Sequence, residues 1–106
     1  MAWIYLVIAG LLEVVWAYSM KLSDGFTRPV PAAVTIVTMI MSFTLLAMAM
    51  RSLPLGTAYM MWTGIGAVGA FILGVVLLGE AVTAMRMLAA LLIVGGLVLM
   101  KLSSPA

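Results

Sequence analysis

Four long apolar segments make up most of this chain, and short polar segments separate them. The apolar segments cover roughly residues 2–20, 31–50, 56–78 and 84–101. Each is long enough to cross a hydrocarbon core about 30 Å thick as an α-helix. The pattern predicts an all-α membrane protein whose residues 1–106 form one domain of four transmembrane helices.

The composition supports a membrane location. Hydrophobic residues make up 67% of the 106 residues and charged residues only 8%, whereas soluble domains carry about 25% charged residues. The first apolar segment does not fit a cleaved signal peptide, because no Lys or Arg precedes it and Glu13 interrupts it. We therefore expect it to be retained as a helix.

The sequence offers little for catalysis. It contains neither cysteine nor histidine, so a thiolate metal site is impossible and the usual near-neutral general base is missing. The net charge of +2 is too small and too scattered to indicate nucleic-acid binding. We expect no enzyme activity, no metal site and no cofactor.

Glu13 is the only acidic residue inside a predicted membrane span. A charge at that depth costs on the order of 3 kcal/mol on insertion scales, so such a residue usually faces a bundle interior or a wet cavity and has a function. A carboxylate can bind a proton or a cation, and competition between the two is what antiport requires. The alternative is a permanently protonated Glu13 that only holds helices together.

Other polar and aromatic residues fall on faces expected to point inward. Trp16 lies one helical turn after Glu13, and Ser42 is a hydroxyl in the middle of the second span. Tyr59 and Trp62 lie on one stripe of the third helix. We take these residues as candidates for a cation site; the alternatives are a structural hydroxyl at Ser42 and ordinary packing aromatics at Tyr59 and Trp62.

Small residues mark two further positions. Gly64 and Gly66 lie in the middle of the third predicted helix and favour either a bend or a very close neighbour. Ala89 and Gly96 are seven residues apart on one face of the fourth helix, with Gly95 beside them. Small residues at that spacing favour tight helix–helix contact.

The basic residues barely favour one orientation in the membrane. Arg51 and Lys101 lie on the side of the termini, and Lys21, Arg28 and Arg86 lie on the other side. Orientation follows an excess of Lys and Arg in short cytoplasmic loops, and here the excess is one residue. The chain is therefore expected to insert both ways round, and two oppositely oriented copies could pair as an antiparallel homodimer that encloses two carboxylates.

Four segments together resemble the small multidrug resistance family: residues 10–17 (GLLEVVWA), 21–28 (KLSDGFTR), 54–66 (PLGTAYMMWTGIG) and 79–80 (GE). The resemblance covers essentially the whole chain. It implies a multi-pass protein of the inner (plasma) membrane, an antiparallel four-helix dimer, and export of cations in exchange for protons. It also implies that Glu13 is the shared proton and substrate site and that Tyr59 and Trp62 are its walls. The fourth helix, with its small residues Ala89, Gly95 and Gly96, is by the same resemblance expected to contact the partner copy.

Two residues are similar to the guanidinium-exporter subtype of that family. The multidrug subtype typically has glycine three positions after the glutamate, where this chain has Trp16, and Ser42 accompanies it. Guanidinium is planar and weakly hydrated, and its N–H donors match a carboxylate in bidentate fashion. Trp16 would fill the space that a bulky quaternary ammonium needs, and Ser42 could donate a hydrogen bond to Glu13 and fix its orientation. Met60 and Met61 depart from the smaller or mixed residues of that family stretch.

Three other functions compete with proton-coupled guanidinium export. The first is a broader quaternary-ammonium antiporter of the same family, against which Trp16 argues. The second is a small regulatory membrane protein that binds a partner, which leaves Glu13 unexplained unless it pairs with a basic residue of that partner. The third is a passive cation channel. Only an antiporter concentrates its substrate against a gradient.

Overall fold

The computed structural model describes residues 1–103, and these residues form four α-helices. The helices are α1 (Ala2–Leu22), α2 (Pro29–Ala49), α3 (Leu55–Leu78) and α4 (Ala84–Ser103). Each is long and apolar enough to cross a membrane.

The helices begin and end within two residues of the predicted bounds. The second helix starts at Pro29 rather than Pro31, because proline suits the first helical position and restricts Arg28 before it to an extended conformation. The first and fourth helices each continue two residues further than predicted. Lys21 and Lys101 lie in their last turns, where a positive charge stabilises the helix end.

In the connection between α3 and α4, a glycine ends α3 and a threonine caps the start of α4. Gly79 has φ 69° and ψ 25°, the left-handed conformation that favours glycine at the end of a helix. The N–H of Glu80 then donates to the Gly74 carbonyl at 3.0 Å. The N–H of Arg86 donates to Thr83 Oγ1 at 3.1 Å, so the Thr83 side chain caps the start of α4.

The packing places α1 at the centre of the chain. The α1 helix packs against both α2 and α3, and α4 packs against α3. The end of α4 also reaches the start of α1, since Lys101 Nζ lies 4.1 Å from the centroid of the Trp3 ring. The buried apolar core is small and is drawn from α1, α2, α3 and the second loop: Leu6, Ala9, Leu46, Ala49, Leu53, Ala58, Met61 and Trp62.

The fourth helix is the least covered. None of its described residues, Ala84–Ser103, is buried, and an apolar groove of about 400 Å³ runs between α3 and α4. Ala89 is exposed, and a Cβ built at Gly95 or Gly96 would meet no described atom within 4 Å. The three small residues are therefore open to contact, and their role in a dimer stays a prediction.

The two glycines of α3 each lie under a side chain of a neighbouring helix. A Cβ at Gly64 would overlap Leu97 of α4, and a Cβ at Gly66 would overlap the Glu13 carboxyl group of α1. The structure thus shows the close neighbours that the sequence predicted as one possibility. The third helix is continuous from Leu55 to Leu78, and a bend at these glycines stays a prediction.

Candidate functional site

The carboxyl group of Glu13 lies between α1 and α3, against Gly66 of α3. Its Cγ would be 2.7 Å from a Cβ built at Gly66, so the side chain rests against the bare backbone of α3. The side chain is half-buried. Glu13 Oε1 is buried and has no hydrogen-bond partner among residues 1–103. A buried acceptor without a partner is costly, which is typical of a group that takes its partner from a ligand or a proton.

Trp16 follows Glu13 on α1 by one turn. Its ring meets the Phe43 ring of α2 edge-on, with 6.3 Å between the centroids and 71° between the planes. Trp16 Nε1 is also buried without a hydrogen-bond partner in the described part of the chain. A carboxyl oxygen and an indole N–H one turn apart on α1 are therefore both left for other partners.

Ser42 does not hold Glu13, and the sequence-based expectation on this point is wrong. The hydroxyl of Ser42 is fully buried and donates to the Ala9 carbonyl at 2.7 Å. It also accepts a hydrogen bond from Trp62 Nε1 at 2.9 Å. A hydroxyl has one proton to donate, and Ser42 donates it to the backbone carbonyl of Ala9, one turn before Glu13. Ser42 therefore fixes α1 against α2 and α3 rather than contacting the carboxylate.

Four aromatic rings form a row across three helices. Phe43 contacts Trp62, and Trp62 contacts Tyr59, each with ring centroids 5.7 Å apart; Trp16 is at the other end of the row, beside Phe43. Trp62 is only 7% exposed, whereas Tyr59 is 52% exposed. The row joins the predicted residues Trp16, Trp62 and Tyr59, and Ser42 joins it through Trp62.

Sequence reasoning missed Phe43, which connects the two tryptophans. It follows Ser42 directly and therefore lies on a different face of α2, so a search for residues that share a face with Ser42 passes over it. The signal that was available is an aromatic residue beside a buried hydroxyl at mid-span. The methionine pair is divided between two environments, since Met61 is buried in the core and Met60 lines the groove between α3 and α4.

Replacing Ser42 by alanine is expected to leave the buried indole N–H of Trp62 without an acceptor. The loss of a partner for a buried donor costs about 1–3 kcal/mol, so Ser42→Ala is expected to lower the free energy of unfolding by that amount. The measurement is denaturant unfolding of the purified protein in detergent. Thr44→Ala is the control, because exposed Thr44 donates only within its own helix, to the Ile40 carbonyl at 2.8 Å. Equal effects of the two variants would contradict the buried network.

A separate charged cluster lies at the start of α4. Arg86 Nη2 is 3.5 Å from Glu80 Oε1, Arg86 Nη1 donates to the Ala81 carbonyl at 2.7 Å, and the guanidinium carbon is 5.1 Å from the centroid of the Phe71 ring. These contacts hold Arg86 at the end of α3. The chain thus contains a second glutamate that is paired and lies outside the spans, in contrast to Glu13.

The comparisons with known proteins agree with the architecture. A family model described as Small Multidrug Resistance protein matches residues 1–93. A protein named guanidinium exporter from Escherichia coli (strain K12) is 59% identical over 104 residues, which is 98% of this chain and 99% of the relative. Proteins of the same name from Citrobacter freundii and Salmonella typhimurium are 57% identical over the same extent.

The family resemblance expected from the sequence is therefore confirmed. The family model covers most of the chain, and the relatives match it over nearly their whole length. Both findings indicate the same family. The four apolar helices agree with it. The chain belongs to the small multidrug resistance family and is a transporter, a multi-pass protein of the bacterial inner membrane.

Proposed function

We propose that this protein exports guanidinium and small substituted guanidinium cations in exchange for protons, with Glu13 as the shared site. The observation that carries the proposal is that Glu13 Oε1, inside a membrane span, is buried and has no hydrogen-bond partner among residues 1–103. The name of the relatives, guanidinium exporter, at 57–59% identity over 98% of the chain, supports the choice of substrate.

The coupling follows from competition for one carboxyl group. An ionised Glu13 can pair with a cation, whereas a protonated Glu13 has lost the charge that attracts it. Guanidinium suits this site because it is planar, is weakly hydrated and donates from its edge in a geometry that matches a carboxylate. The faces of the aromatic rings attract a cation within about 6 Å of their centroids, and Trp16, Tyr59 and Trp62 supply such faces.

The site is expected to be completed by a second copy of the chain. Four helices leave most large apolar side chains of a single copy exposed, and α4 with its groove against α3 offers an apolar surface for a partner. Two copies would enclose a cavity with two Glu13 carboxyl groups. Since the basic residues are nearly balanced between the two sides, we propose that the copies insert in opposite orientations and pair antiparallel.

Adding two lysines after Lys101 is expected to abolish dual insertion and to keep the chain ends in the cytoplasm, because orientation follows the excess of Lys and Arg. The measurement is labelling of single introduced cysteines from each side of the membrane. Two lysines added to the first loop, beside Lys21, are the matched control and are expected to fix the opposite orientation. Labelling of the unmodified chain from one side only would contradict dual insertion.

A broader quaternary-ammonium antiporter is the alternative function within the family. Such cations are bulkier and have no N–H donors, so they gain less from a carboxylate and compete with the Trp16 ring for space. The test of the proposed function is guanidinium uptake by proteoliposomes under an imposed pH gradient. Accumulation above the outside concentration supports an antiporter. Equilibration without accumulation would indicate a channel, and no flux would indicate a protein that only binds a partner.

A further inference from the structure

The α1 and α3 helices interlock through three glycines, and each glycine receives a side chain of the other helix. Gly10 of α1 receives Ile65, while Gly69 of α3 receives Val14. The third of these contacts differs in kind, because the group that meets Gly66 is the Glu13 carboxyl itself. At two positions the glycine accommodates a hydrocarbon, and at the third it accommodates the ionisable group.

The Glu13 carboxyl group packs against Gly66, and its hydrogen-bonding surroundings offer it little else. Ser42 uses its one proton on the Ala9 carbonyl, and Glu13 Oε1 has no hydrogen-bond partner within residues 1–103. The helices packed against α1 are α2 and α3, and Tyr59 is the single titratable side chain in the sequence of either. Among residues 1–103, the contact with Gly66, rather than a hydrogen bond to Oε1, therefore positions the carboxyl group.

A glycine in the middle of a helix destabilises the helix, so its presence calls for a structural explanation. It costs about 1 kcal/mol relative to alanine, because its backbone loses more freedom on folding. Gly66 is buried and helical, so no turn or left-handed conformation explains it. The space that it leaves for Glu13 does explain it.

We propose that Gly66 is a positioning residue, whose missing side chain forms the seat that holds the Glu13 carboxyl group between α1 and α3. The proposal deepens the proposed function and rests on it for the role of Glu13 in guanidinium binding. A methyl group at residue 66 would push the carboxyl out of this seat, while an acidic side chain shorter by one methylene would fit again.

The test compares two identical substitutions one turn apart on α3. Gly66→Ala adds a methyl group against the Glu13 carboxyl, and Gly69→Ala adds the same group against Val14. An added methyl group in a packed site forces neighbouring atoms to shift, and here the neighbour is the Glu13 carboxyl group. We therefore expect Gly66→Ala to weaken guanidinium binding about tenfold, measured by calorimetry in detergent. Gly69→Ala carries the same packing defect without displacing the carboxyl, and we expect a change of about twofold or less.

A rescue variant separates positioning from general damage. In a Glu13→Asp background the carboxyl group is one methylene shorter, so the methyl group at residue 66 has room. We expect Gly66→Ala to weaken guanidinium binding by only about twofold in that background, because the two side chains are in contact and their effects are not additive. A tenfold loss in both backgrounds would contradict the seat.

A second readout needs no guanidinium. A hydrophobic carbodiimide modifies carboxyl groups inside the membrane, and Glu13 is the only acid in the four spans, so the adduct on the peptide that contains Glu13, measured by mass spectrometry, reports on this carboxyl group. We expect several-fold faster modification in Gly66→Ala than in the unmodified protein, and an unchanged rate in Gly69→Ala. Equal rates in all three proteins would overturn the proposal.

The outcomes distinguish the two proposals from each other. If the unmodified protein binds no guanidinium, the proposed function fails, while the carbodiimide comparison still decides whether Gly66 seats Glu13. If Gly66→Ala does not fold, recovery of folded protein by adding Glu13→Asp supports the seat. Failure of that double variant to recover, while Gly69→Ala folds, contradicts it.

Discussion

Replacing Glu13 by glutamine is expected to reduce proton-driven guanidinium exchange to the level of liposomes without protein. Glutamine keeps the size of the side chain and the contact with Gly66, but its amide neither carries a negative charge nor exchanges a proton. The variant is therefore expected to fold and to keep the oligomeric state of the unmodified protein, while it binds neither the proton nor the cation at residue 13. The measurement is guanidinium uptake under an imposed pH gradient, with the oligomeric state followed by size-exclusion chromatography.

Glu80→Gln is the matched control for this prediction. Glu80 pairs with Arg86 at 3.5 Å, and both side chains are substantially exposed, so the pair contributes only about 0–1 kcal/mol. The same chemical change outside the spans is expected to leave exchange intact. Full proton-driven exchange by Glu13→Gln would show that the coupling lies elsewhere.

Replacing Trp16 by glycine is expected to weaken guanidinium transport and to admit larger cations. A cation over a tryptophan face gains about 0.5–2 kcal/mol, so loss of the ring is expected to weaken guanidinium binding by roughly two- to thirtyfold. The ring also excludes bulk, and specificity works by exclusion as much as by attraction. The measurement is charge translocation across a solid-supported membrane for a series of cations at one pH, from guanidinium to large quaternary ammonium ions.

Val15→Gly controls for the backbone effect of a glycine in α1. Val15 is adjacent to Trp16 but exposed, so this variant has the same added chain freedom and keeps the ring against Phe43. We expect its cation series to match that of the unmodified protein. The account of Trp16 is wrong if the unmodified protein already moves large quaternary ammonium dyes as readily as guanidinium, or if Trp16→Gly leaves the series unchanged.

Much of the fold could be predicted because the bilayer imposes a simple rule on the sequence. A membrane-spanning helix needs about 20 apolar residues, and the four observed helices follow the four apolar segments closely. Glu13 could be singled out for the same reason, since a charge inside such a segment is costly. The cap at Thr83 is a local signal, complete within four residues, and local signals can be read directly from the sequence.

The partners of the site residues could not be predicted, because they depend on how the helices are rotated against one another. Ser42 was expected to hold Glu13, but the rotation of α2 presents its hydroxyl to the Ala9 carbonyl. Phe43 enters the aromatic row through the same rotation. Helical spacing shows which residues share a face, and it does not show which residue of the next helix lies opposite.

The role of Gly66 lies between these two cases. The sequence predicted that Gly64 and Gly66 lie at a bend or under a close neighbour, and only the packing of α1 on α3 identifies the neighbour of Gly66 as the Glu13 carboxyl. A glycine in the sequence indicates that a neighbouring group lies close to the helix, and the structure identifies that group.

The most direct test of the account is whether guanidinium binding releases protons from Glu13. Guanidinium is added to the purified protein in weakly buffered detergent solution, and proton release is followed with a pH electrode beside calorimetric measurement of binding. Competition at Glu13 predicts proton release from the unmodified protein and from Glu80→Gln, and none from Glu13→Gln. Guanidinium binding by the unmodified protein without proton release at any pH would contradict competition at Glu13.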